Sequence, residues 1–236
     1  MKTLKTIVFI LVSFGSAYAQ NNYTPRVATG APLVGGRNMD MNLTWRAIDV
    51  SAFEGVEGSP FLTDEYHRAF LKTKNGVRFE NVWVRFNAFS NEILLQNESQ
   101  LMALTNVDSL AYTMDVGKKN IIFKTGYPAI DGQDNETIYQ ILAYRENFQF
   151  LKYPQKKVET LKKMGLPDQR VFVAKPIYYF YNLTNNSIIR VRLNKKSILN
   201  ALSGISNVEN SLSAGKVDFK RESEVVAYIN SIQMRN

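Results

Sequence analysis

Residues 79–96, FENVWVRFNAFSNEILLQ, carry the clearest alternation in the chain. Val82, Val84, Phe86 and Ala88 interleave with Trp83, Arg85, Asn87 and Phe89. That period of two predicts a β-strand, because successive side chains of a strand point to opposite faces. Val82, Val84 and Phe86 are the expected inward set. Ser90-Asn91-Glu92 then supplies a polar turn, and Ile93-Leu94-Leu95 begins a return strand. Upstream, Asn75-Gly76 predicts a two-residue hairpin of type I′, a turn that needs positive φ at both positions. With the strand expected over 66–73, three strands follow one another as a meander.

The same reading extends in both directions. Residues 43–48, LTWRAI, are a first strand or a segment that docks Trp45 onto the sheet. Residues 55–62 lead into the 66–73 strand. Shorter strands are expected over 101–104, 110–114 and 120–123, and 131–136 (DGQDNE) is a loop. Residues 139–144 and 148–153 make a hairpin about Glu146-Asn147. The stretch 158–164, stopped by Gly165 and Pro167, is open between a short helix and a loop. Strands follow over 171–174, 177–182 and 188–193, with Asn185-Asn186 at the last turn.

Beyond residue 194 the apolar period changes from two to that of a helix. Ile198, Leu199 and Leu202 share one face of 195–203, and Gly204 is a stop signal. Ser206 and Glu209 form a capping box, which satisfies two backbone donors at a helix start; that helix is expected to end near Gly215. Residues 222–233 place Val225, Val226, Ile229 and Ile232 along one stripe. Strands followed by helices predict an α+β fold, mainly an antiparallel β-sheet meander followed by C-terminal helices. The expected organisation is a signal peptide over 1–19, a flexible lead over 20–54 with its possible first strand, and one domain over 55–236. Strands occupy about 55–193 of that domain and helices about 195–233.

The signal peptide rests on Lys2 and Lys5, the short apolar run 7–14, and Ala17-Tyr18-Ala19, a small-x-small cleavage pattern that would leave Gln20 first. An uncleaved anchor is the alternative; the apolar run falls short of the about 20 residues a spanning helix needs. No later stretch is long and apolar enough to serve as a transmembrane anchor. The chain holds no cysteine, which removes disulfides, cysteine metal ligands, a thiol nucleophile and the lipidation signal of a bacterial lipoprotein. The expected location is therefore periplasmic or extracellular, without a lipid anchor. Cleavage takes Lys+Arg from 29 to 27 against 21 acids. That surplus is localised, since residues 151–196 hold eleven cations and two carboxylates, and such asymmetry concerns surface partners rather than fold.

Chemistry is sparse. His67 is the one histidine, with no nucleophile signature to serve, and reads as a strand residue on a partly solvated face. Asp131, Asp134 and Glu136 offer oxygens, but their spacing fits no calcium loop, so a solvated loop is expected. Neither catalytic residues, nor metal ligands, nor a cofactor are assigned. Tyr178, Tyr179 and Tyr181 give a strand aromatic on both faces, which is either covered or open to a ligand. With Arg190, Arg192, Lys195 and Lys196 they form the candidate ligand-binding set. The alternative is a merely solvated basic face. Anionic lipid, acidic polysaccharide or an envelope protein are the expected partners, and nucleic acid is not, because an exported chain rarely meets it. Two other readings stay open: a secreted hydrolase whose acids converge only in the fold, and a structural subunit that pairs through a bare sheet edge.

Several spaced motifs agree with one family. Gly58-Ser59-Pro60-Phe61-Leu62, Asn75-Gly76, and Asn81-x-x-x-Arg85-Phe86-Asn87-x-Phe89-x-x-Glu92 resemble a family of exported Bacteroidota proteins. Its members carry a GSP(F/Y)L motif, a strand–turn–strand and a segment of RFNxFxxE type. Ile177-Tyr178-Tyr179 and Lys195-Lys196 match its aromatic strand and basic helix start. The resemblance runs from about Gly55 to the C-terminus. It implies export and assigns no particular activity.

Overall fold

Phe79 and Val82 both pack into the interior, although an uninterrupted strand would set them on opposite faces. The computed structural model, which describes residues 45–47, 53–97, 100–114, 119–162, 164, 167–204 and 217–232, shows why. In chain order the strands are β1 (Trp45–Ala47), β2 (Val56–Glu57), β3 (His67–Thr73), β4 (Arg78–Asn87), β5 (Glu92–Asn97), β6 (Gln100–Leu104) and β7 (Val107–Met114). They continue as β8 (Lys119–Lys124), β9 (Tyr139–Tyr144), β10 (Phe148–Tyr153), β11 (Lys156–Leu161), β12 (Gln169–Ala174), β13 (Ile177–Asn182) and β14 (Ser187–Val191). Two helices, α1 (Lys195–Ser203) and α2 (Glu222–Ser231), complete the described elements. Between the pairs Ala69↔Val82 and Leu71↔Phe79, one residue of β3 faces two of β4. This is a β-bulge, and Asn81 sits in it at φ 57°, a left-handed conformation that asparagine tolerates. The extra residue shifts the parity, so Phe79, Val82, Val84 and Phe86 share the inner face, Val82 only half-buried.

The 74–76 turn also differs from the type I′ hairpin expected of Asn75-Gly76. Of that pair only Gly76 has positive φ, 83°. Its N–H donates to Thr73 O at 2.9 Å, and the Thr73 N–H donates to Val77 O at 2.9 Å. That is a three-residue loop, a type I turn closed by a left-handed glycine.

The protein is mostly antiparallel β-sheet with two helices, the second near the C-terminus. Eleven strands form one sheet in the order β1-β6-β5-β4-β3-β7-β8-β9-β10-β13-β14, and β11-β12-β2 form a second. Consecutive strands pair from β3 to β6 and from β7 to β10, but β7 returns beside β3 instead of extending the run. Residues 158–164, left open between helix and loop, contribute to a strand: β11 pairs with β12 along its whole length. Val56–Glu57, in the stretch 55–62 ahead of β3, joins β12 as its parallel partner. Ser206, Glu209 and Gly215 lie outside the described residues.

Three apolar clusters order these elements. The first lies inside the half of the sheet from β3 to β8. Phe86 of β4 and Phe123 of β8 stack there at 4.6 Å between ring centroids, though three strand spacings, about 14 Å, separate them along the sheet. This half therefore coils about its own core. The second cluster sits where α1 and α2 cover β9, β10, β13 and β14 with Ile198, Leu202, Val225, Tyr228 and Ile229. The third, on the opposite face of those strands, gathers Tyr127, Tyr139, Leu151 and Tyr179.

Both helices are tied to the sheet at their ends. Asn194 caps α1, its side chain accepting from the Ser197 N–H at 2.9 Å. At the start of α2, Glu222 accepts from Lys152 at 2.8 Å and from the Tyr178 hydroxyl at 2.9 Å, charge placement that the helix dipole favours. The Arg145 guanidinium donates to the carbonyls of Asn230 and Ile232 at the other end.

Candidate docking surface

The GSPFL and RFN motifs meet in space. The Pro60 carbonyl accepts from the N–H groups of Ala88 (2.9 Å) and Phe89 (3.2 Å), and Leu62 N–H donates to Phe86 O at 2.9 Å. Arg85 lies between two rings, 3.4 Å from the Phe61 centroid and 4.6 Å from that of Tyr66. Asn87 accepts from the Phe89 and Ser90 N–H groups, which shapes the turn. Asn91 then grips a distant backbone: its amide donates to Ile138 O at 2.9 Å and accepts from Ile138 N at 2.8 Å. These motif residues build the fold.

The same turn anchors the hairpin of β11 and β12. Lys156 N–H donates to Ala88 O at 2.9 Å, and Lys156 Nζ donates to Ser59 O at 2.8 Å. Burial lowers the pKa of that lysine from its ordinary value, against the opposing pull of Asp64. Phe172 of β12 packs on Phe89 (5.6 Å) and Phe53 (6.1 Å), which also touch each other (6.0 Å). The base is thus fixed, while the far end carries exposed Leu161 and a fully exposed Met164. Lys157, Lys162 and Arg170 are exposed on the same hairpin. Lys175 pairs with Glu159 at 2.9 Å. Over 156–175 six cations stand against two carboxylates.

Topology brings the other cations to the same end of the sheet. The hairpin leaves from the end of β10 and returns at the start of β13, where Tyr153 pairs with Ile177. β14 runs back toward that end, Val191 opposite Tyr178, so Arg192, Lys195 and Lys196 follow there, all exposed. Arg190 lies one residue inside β14 and meets Asp131 at 3.4 Å; Arg192 falls just beyond the strand, which ends at Val191 and not at 193 as the sequence suggested. Lys195 and Lys196 open α1 with no acid in its first turn, an arrangement the helix dipole disfavours.

The tyrosine run is covered on both faces. Tyr178 lies on the helix side, stacked on Phe150 at 5.9 Å and donating to Glu222. Tyr179 and Tyr181 lie on the other side against residues 127–139. Tyr179 is fully buried, and its hydroxyl donates to Asp131 (3.1 Å) and Gln133 (3.2 Å). Tyr181 donates to Asn186 at 2.7 Å. Burial, first, and then Asp131 push the Tyr179 hydroxyl far above its usual value; burial and then Glu222 do the same at Tyr178. The structure therefore places Arg192, Lys195 and Lys196 at the sheet end from which the hairpin leaves, and the three tyrosine hydroxyls have other partners.

His67 departs from its expected solvated face. It is buried, stacked on Tyr112 at 4.6 Å, with Nε2 2.8 Å from Thr63 Oγ1. Asp134 is occupied by its own loop, accepting from Glu136 N, Thr137 N and Thr137 Oγ1. Among the described residues no group of three or more His, Cys, Asp or Glu side chains gathers as a metal site. No helix among them is long and apolar enough to cross a membrane. Sequence reasoning overlooked Leu161 and Met164, whose lysine-flanked apolar pattern, LKKMGLP, was the available signal.

No family model, curated protein or solved structure matches the chain.

Proposed function

We propose that this is an exported, non-enzymatic envelope protein that docks peripherally on anionic lipid. The observation that carries the reading is the β11–β12 hairpin. Its base is held by the Pro60–Phe89 turn, and its far end presents Leu161 and Met164 beside exposed Lys162. Exposed single apolar residues are ordinary on protein surfaces. Here, however, they stand at the far end of a hairpin whose base is held on the sheet, and the cations of 192–196 lie at the sheet end from which that hairpin leaves. Each lysine or arginine held near an anionic leaflet contributes about 1 kcal/mol, and apolar side chains entering the interface add about 1.5–3 kcal/mol when fully buried. Charge brings the tip to the surface, and burial of Met164 and Leu161 holds it there. The signal peptide pattern and the motif resemblance to exported Bacteroidota proteins support the compartment.

The test is co-sedimentation of residues 20–236 with phosphatidylglycerol or phosphatidylcholine vesicles across a salt series. Binding is expected on the anionic vesicles alone. It should weaken toward physiological salt, where the Debye length is about 8 Å. Reversing Arg192, Lys195 and Lys196 to Glu should weaken it strongly, and Leu161→Ser with Met164→Ser should weaken it without lowering thermal stability. A parent protein that ignores anionic vesicles at low salt contradicts the reading.

A further inference from the structure

Among the described residues no element covers the outer face of β4-β3-β7-β8, and its side chains fall into three rows. Arg68 pairs with Trp83 across β3 and β4, and Thr113 with Asn120 across β7 and β8. Two residues along, Phe70 faces Ala111, which faces Ile122. A further two along, Lys72 lies between Arg78 and Ser109, and Ser109 faces Lys124. Phe70, Trp83 and Ile122 are 56 %, 48 % and 42 % exposed. The small Ala111 lowers the floor between Phe70 and Ile122. The result is an open trough of about 590 Å³ over the first two rows, running on into one of about 290 Å³ over the last two.

We infer that this trough is a binding site for an acidic oligosaccharide. Three inter-strand steps give it a length of about 14 Å, enough for a short run of sugar rings. Phe70 of the apolar row and Trp83 of the row beside it offer aromatic surface to the C–H faces of the rings, as amphipathic aromatics do in binding sites. The rows on either side offer hydroxyl and amide groups, with Thr113 Oγ1 donating to Asn120 Oδ1 at 2.8 Å. They also carry the cations Arg68, Lys72, Arg78 and Lys124, which outnumber the carboxylates Glu80 and Asp108 beside them. The Arg68 guanidinium lies over the Trp83 ring at 4.9 Å, which orients it before a ligand arrives. Lys72 is paired with Asp108 at 3.2 Å, whereas Arg68, Arg78 and Lys124 make no ion pair among the described residues. An isologous contact with a second copy would bring this predominantly cationic face against its own copy, an approach that net like charge opposes. Saccharide carboxylates or sulfates meet its cations with complementary charge. This inference is independent of the hairpin and of lipid docking.

The experiment is isothermal titration of residues 20–236 with a galacturonate hexamer, a heparin hexasaccharide and neutral maltohexaose, with light scattering to follow the oligomeric state. At least one acidic sugar should bind, more tightly than the neutral one and less tightly as salt rises. Trp83→Ala should weaken that binding at least tenfold. Arg68→Gln should weaken the acidic ligand and leave any residual neutral binding unchanged. Both positions are exposed, so the variants should melt with the parent. Three results overturn the inference: no acidic sugar binds, binding ignores both substitutions, or the parent is a dimer that Trp83→Ala dissociates, which would make this face an interface between copies.

Discussion

Phe86→Ala tests the coiled half of the sheet at its centre. Phe86 is 1 % exposed and stacks on Phe123 at 4.6 Å, a contact that exists only if β4 and β8 curve toward each other. A buried phenylalanine removes about 150–250 Å² from water. At about 25 cal/mol per Å² this is about 4–6 kcal/mol, an upper figure because alanine keeps part of the area. Truncation of core phenylalanines costs about 3–5 kcal/mol with the cavity included, so about 4 kcal/mol is expected. For a domain of this size each kcal/mol moves the midpoint by about 2–4 °C, giving a fall in Tm of about 8–16 °C. Urea and thermal unfolding followed by near-UV circular dichroism measure it. Phe86→Leu, which keeps most of the volume, should lose less than half as much. A double-mutant cycle with Phe123→Ala should show coupling between the two sites. A Tm within about 2 °C of the parent, or strict additivity with Phe123→Ala, would refute the packing of β4 against β8.

Asn91→Ala removes both contacts with the Ile138 backbone. It should cost about 1–3 kcal/mol and accelerate amide exchange at Ile138. Gly76→Val forces a branched side chain to φ 83°, and should lower stability by about 1–2 kcal/mol in urea unfolding, with Gly76→Asn affected less. Alkali should unfold the protein cooperatively. Burial raises the folded-state pKa of Tyr127, Tyr139, Tyr178 and Tyr179 well above the ordinary value, and that of Tyr112 to about 12. Because the folded values exceed the unfolded value of about 10, this stabilisation is complete below pH 10 and is lost as pH rises through the folded values. In a spectrophotometric titration the tyrosinate signal of these five groups should therefore appear together with the loss of near-UV dichroism.

How much of this was legible in the sequence depends on the range of the interaction. The strands β4, β9, β10 and β13 and helix α2 follow from local pattern: β4 and α2 are periodic because one face of each is buried, whereas β9, β10 and β13 read as apolar runs because both of their faces are buried. The turn at Gly76 was located but given the wrong type, since Asn-Gly also fits a type I turn closed by a left-handed glycine. β11 was missed because Val158, Leu161 and Met164 repeat at a spacing shared by helix and loop, and its lysines carry no strand signal. Only pairing with β12 makes it extended. The bulge at Asn81 left no local mark beyond an asparagine. At the candidate surface, the concentration of charge in 151–196 was plain, but its division was not. The removal of Arg190 toward Asp131 and the covering of Tyr179 by Asp131 and Gln133 both depend on a loop about fifty residues upstream. The trough was half visible: alternation turned Trp83 outward, but Phe70 and Ile122 join it only because β7 returns beside β3, a non-local pairing.

The central claim is that the hairpin tip enters an anionic bilayer. The chain has no cysteine, so Met164→Cys in residues 20–236 can be labelled at one position with a polarity-sensitive fluorophore, with Asn185→Cys, at the opposite end of β13, as the comparison site. On phosphatidylglycerol vesicles at low salt the emission from position 164 should shift to the blue, fade as salt is raised, and stay unchanged on phosphatidylcholine. Position 185 should not respond. An unshifted spectrum at 164 on anionic vesicles, or an equal shift at both positions, would contradict the account.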